Sequence, residues 1–77
     1  MAQTMAEVLL EQGIERGARE TTIENTLAVL KARFPHADVN AVKPTLEAIA
    51  DLTRLKQLNL NASLAPSFRA FQQGLET

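Results

Sequence analysis

His36, Ser63 and Ser67 are the first side chains to consult for nucleophilic or acid–base chemistry, and the sequence contains no cysteine. A general base needs a nucleophile or an orienting carboxylate within hydrogen-bond reach. His36 follows Pro35 in a segment that reads as a connector, with only Asp38 near it in sequence. It reads as an exposed loop histidine. Neither serine lies in a Gly-x-Ser-x-Gly elbow, and both stand where a helix N-cap belongs. The pairs Glu7/Glu11 and Glu20/Glu24 place carboxylates one helical turn apart. A metal site needs three or four convergent ligands, and no histidine is placed to join either pair. Gly13 and Gly17 do not follow a strand, so they do not form a phosphate-binding loop. No catalytic, cofactor-binding or metal-binding residue is assigned, and a non-enzymatic role is expected.

The glycine pair has another use. Gly13-Ile-Glu-Arg-Gly17 puts two glycines on one helix face, where backbones can approach closely. Glu15 and Arg16 between them make this a water-exposed helix rather than a membrane one. A packing seam between helices is therefore the feature to position.

The surrounding pattern is helical. Thr4-Met-Ala-Glu7 is a capping box, and no proline intervenes before Pro35. Ile23, Leu27, Leu30 and Phe34 recur at helical spacing, and Lys31 and Arg33 complement the dipole in the last turn. An unbroken helix over 5–34 would be about 45 Å long. Gly13 and Gly17 each cost about 1 kcal/mol there, and Thr21-Thr-Ile-Glu24 is a second capping-box pattern. Residues 17–21 are thus a weak point. Ion pairs Glu15–Arg19 and Arg16–Glu20, four residues apart, bridge it, and one helix is expected rather than two.

Residues 35–40 form a connector in which Asp38 or Asn40 can cap the next helix, with Pro44 in or near its first turn. Leu46, Ile49 and Ala50 mark that short helix. Asp51 caps a third, carrying Leu52, Leu55 and Leu58, with Leu60 and Ala62 beside them and Asn59 and Asn61 weakening its end. Phe68, Phe71 and Leu75 mark a last helix, frayed at Gly74. No segment alternates as a strand does. The expected fold is all-α, with a long oligomerisation helix in 1–34 and a cluster of three short helices in 35–77, together one domain.

Composition sharpens this. A domain of 77 residues has a marginal core, and the usual supplements are disulfides, a metal or another chain. Without cysteine, and with a single histidine, association is the expected remedy. The apolar stripe of the long helix would have nowhere to hide except on a partner. The seam expected to bury against a second copy comprises Leu9, Gly13, Gly17, Ile23, Leu27 and Leu30. Eight Lys+Arg against nine Asp+Glu give a net charge of −1, which lacks the basic excess of nucleic-acid binders. Arg54, Lys56 and Arg69 are scattered among polar neighbours and read as a solvated face. No apolar run approaches the length of a membrane span, and no export signal is evident at Met1. A cytoplasmic location is the resulting expectation.

The stretch Glu11-Gln-Gly-Ile-Glu-Arg-Gly-Ala-Arg-Glu20 resembles the four-residue glutamate, glutamine, arginine and glycine repeat near the C-terminus of recombination-promoting nuclease (Rpn) proteins, also described as the PD-(D/E)XK transposase family. The segments Leu30 to Phe34 with Pro35 next, Ile49 to Leu58, and Ser67 to Phe71 are similar to the rest of that tail. Thr21 stands where a third glycine of the repeat would be. The family's nuclease domain requires a (D/E)-x-Lys triplet. The residues two before Lys31, Lys43 and Lys56 are Val29, Ala41 and Arg54, so no catalytic residue carries over. The resemblance implies a C-terminal module on its own, which oligomerises and restrains the full-length nuclease as an antitoxin would. The alternative expectation is a DNA-associated accessory domain in transposition or recombination. It requires Arg16, Arg19, Lys31 and Arg33 to converge.

Overall fold

The computed structural model describes the backbone of residues 5–76 and the side chains of Ile14 and residues 16–76. The chain is all-α, with no strand among the described residues. Helix α1 spans Met5–Arg33, followed by a 3-10 turn at Val39–Val42, α2 at Lys43–Glu47, α3 at Leu52–Leu64 and α4 at Phe68–Glu76. The α1 helix is continuous through residues 17–21. The Thr21–Glu24 capping pattern therefore starts no new helix. Instead the Thr22 hydroxyl donates to the Ala18 carbonyl at 2.7 Å and the Thr26 hydroxyl to that of Thr22 at 2.8 Å. Both hydroxyls are satisfied inside the helix, so no break is needed to pair them.

Two long side chains define how α3 lies on α1. Arg19 Nη1 donates to the Ala50 carbonyl at 3.2 Å, and Arg33 Nη1 donates to that of Ala62 at 2.7 Å. Advancing along α1 therefore means advancing along α3, and the two helices run parallel. The return is made by the 3-10 turn and α2, whose Val39, Val42 and Leu46 are buried. Pro44 fits the first turn of α2 because its missing N–H would have no intrahelical acceptor there. Lys43 lies beside Glu24 and Leu27, and Ile49 beside Arg16 and Arg19. The return thus runs back up α1. Helix α4 then descends antiparallel to α3, held where Arg54 Nη2 donates to the Gly74 carbonyl at 2.9 Å. At the opposite end of this packing, the Phe34 and Phe68 rings meet at 6.3 Å, with the Arg33 guanidinium 4.8 Å from the Phe34 ring centre.

The core is one cluster. Leu30, Leu46, Leu55, Leu58 and Phe71 are fully buried, joined by Ile23, Leu27, Val39, Val42 and Ala62. Phe34, Ile49, Phe68 and Leu75 pack on its edge. The stripe of α1 is thus covered by α2 and α3 of the same chain. This corrects the expectation that it had nowhere to go but a partner.

The capping residues divide. Asp51 does cap α3, its carboxylate accepting from the Thr53 amide at 3.0 Å, and Ser67 Oγ accepts from the Ala70 amide at 3.1 Å at the start of α4. Asp38 precedes the 3-10 turn without a side-chain cap bond. Ser63 caps nothing. It lies inside α3, where its hydroxyl points back to the Asn59 carbonyl at 3.4 Å. Asn59 and Asn61 do not stop α3, because the buried Leu58 and Ala62 that flank them hold that turn in place. Gly74 likewise lies within α4, which continues to Glu76.

Candidate functional site

The six seam residues divide into separate groups. Leu9 and Gly13 lie on α1 but outside the described side chains. Ile23, Leu27 and Leu30 are buried in their own chain, Leu30 completely. They are core residues, so a surface that pairs with a second copy cannot be built from them while the chain stays folded. Gly17 is exposed, and a Cβ added to it would meet nothing within 4 Å. At about 100° per residue, Gly17 lies roughly 110° around α1 from the mean direction of the three core residues. Gly17 and the three buried residues therefore face different sides of α1.

Ile14 marks the face that remains. It is 64% exposed, sits about 60° around the helix from Gly17, and points away from the core. The α1 helix has 29 residues, about 44 Å, and the molecule measures 49 × 21 × 19 Å. Its length is thus the length of that helix. Arg19 ties α1 to the chain just before α3 through the Ala50 carbonyl. The glycine at 17 is required neither by backbone conformation, since it has no positive φ, nor by any neighbour in the chain.

Among the described residues, the cations are spread along the chain rather than gathered in a patch. Arg16 bridges Glu20 at 3.5 Å, both well exposed. Arg19 and Arg33 reach carbonyls at opposite ends of α3. Arg16 and Arg19 stand about 18 Å or more along the helix from Lys31 and Arg33, so the four cations do not converge. The groove between α1 and α2, about 280 Å³, sets Lys43 against Glu20, Glu24 and Glu47 over a floor of Ile23 and Leu27. Arg54, whose sequence neighbours suggest a solvated face, is half-buried on α4.

His36 is exposed in the turn after α1, and Ser63 and Ser67 are exposed and engaged with main-chain partners. Among the described residues, no group of three or more His, Cys, Asp or Glu is placed to hold a metal. No described helix is long and apolar enough to cross a membrane. A second apolar feature lies outside the sequence-based expectations. Leu60 and Leu64 are 52% and 71% exposed on α3, beside a shallow groove of about 250 Å³ formed with Ala70, Phe71 and Gly74 of α4. The leucine spacing carries a signal for it, since Leu60 and Leu64 fall off the Leu55–Leu58–Ala62 stripe. No protein-family model, no characterised protein and no solved structure matches this chain.

Proposed function

We propose that this chain is a non-catalytic oligomerisation and regulatory module related to the C-terminal tail of Rpn-family nucleases. It works in the cytoplasm and acts as an antitoxin does, by pairing with the full-length nuclease or with a second copy of itself. The observation that carries the reading is the exposed Ile14 beside the open Gly17, on the side of α1 that the chain's own core does not use. A helical stretch of roughly a dozen residues is marginal in water without packing. Pairing supplies that packing. It removes Ile14 from water, and glycine at position 17 lets the partner's backbone come close. Gly13 flanks Gly17 by its spacing of four.

The regulatory step follows from a shared seam. A longer protein carrying the same helix can pair with this one, and a mixed assembly lacks the second nuclease domain. Direct nucleic-acid binding has no part in this mechanism, as the scattered cations give no surface for it.

Sedimentation equilibrium at tens of micromolar tests the reading. The unaltered chain is expected to self-associate and Ile14→Glu to sediment as a folded monomer. A folded monomer for the unaltered chain would overturn it.

A further inference from the structure

We draw no further inference here: the strongest candidate, the shallow apolar groove between the end of α3 and α4 beside exposed Leu60 and Leu64, is an unpartnered face lined by no charged residue, and nothing in the structure shows what covers it.

Discussion

Leu30 and Gly17 sit on one helix and carry opposite expectations. Leu30 is fully buried where α1 meets the rest of the core. Truncation to alanine there removes transfer energy and leaves a cavity, so Leu30→Ala should cost about 2–5 kcal/mol in urea unfolding. For a core this small, that approaches the whole stability. Gly17 has helical backbone and open space around it. At dilutions where the chain is monomeric, Gly17→Ala should therefore strengthen α1 by up to about 1 kcal/mol, read as slower hydrogen exchange of amides near position 17. A loss of helix protection would mean that the glycine is needed within the chain after all. Thr26 completes the residue-scale account. It is the buried polar side chain of the described core, yet its hydroxyl is bonded to the Thr22 carbonyl, so it leaves no unsatisfied group.

The elements are legible in proportion to how locally they are determined. The long helix, the Asp51 cap and the Leu55–Leu58 stripe depend on residues within a turn or two of one another, and each can be read directly. Asp51→Ala should cost about 1 kcal/mol by removing an acceptor from the Thr53 amide, measured as a shift in the denaturation midpoint at unchanged slope. Features set by distant partners are not legible in this way. Helix α3 passes through Asn59 and Asn61 because Leu58 and Ala62 are buried against elements elsewhere in the chain. The seam residues divide for a different reason. Gly13 to Gly17 is a helical step, but Gly17 to Ile23 is six residues, which turns the helix to another face. Apolar and small residues of one long helix thus look like a single stripe when they form two. Which stripe meets the core depends on the parallel placement of α3, and no local spacing encodes that.

At the scale of the molecule, the described core begins at Ile23 and ends at Phe71, while α1 begins at Met5. A chain lacking residues 1–15 should keep cooperative thermal unfolding and lose self-association, as followed by circular dichroism and light scattering. Retained association would place the interface elsewhere and count against the proposed pairing. Loss of folding would show that the first turns of α1 support the core. The parallel run of α1 and α3 has its own consequence for how the chain reaches this state. The residues it joins, Arg19 with Ala50 and Arg33 with Ala62, are 31 and 29 apart in sequence. Neighbouring helices in an up-and-down bundle meet through a short turn, whereas here the principal packing closes loops of about thirty residues. Closure entropy must be met before those contacts form, so α3 can find α1 only as the intervening return takes shape. The chain should fold more slowly than an up-and-down helical bundle of equal length, with the short 39–47 segment setting the pace.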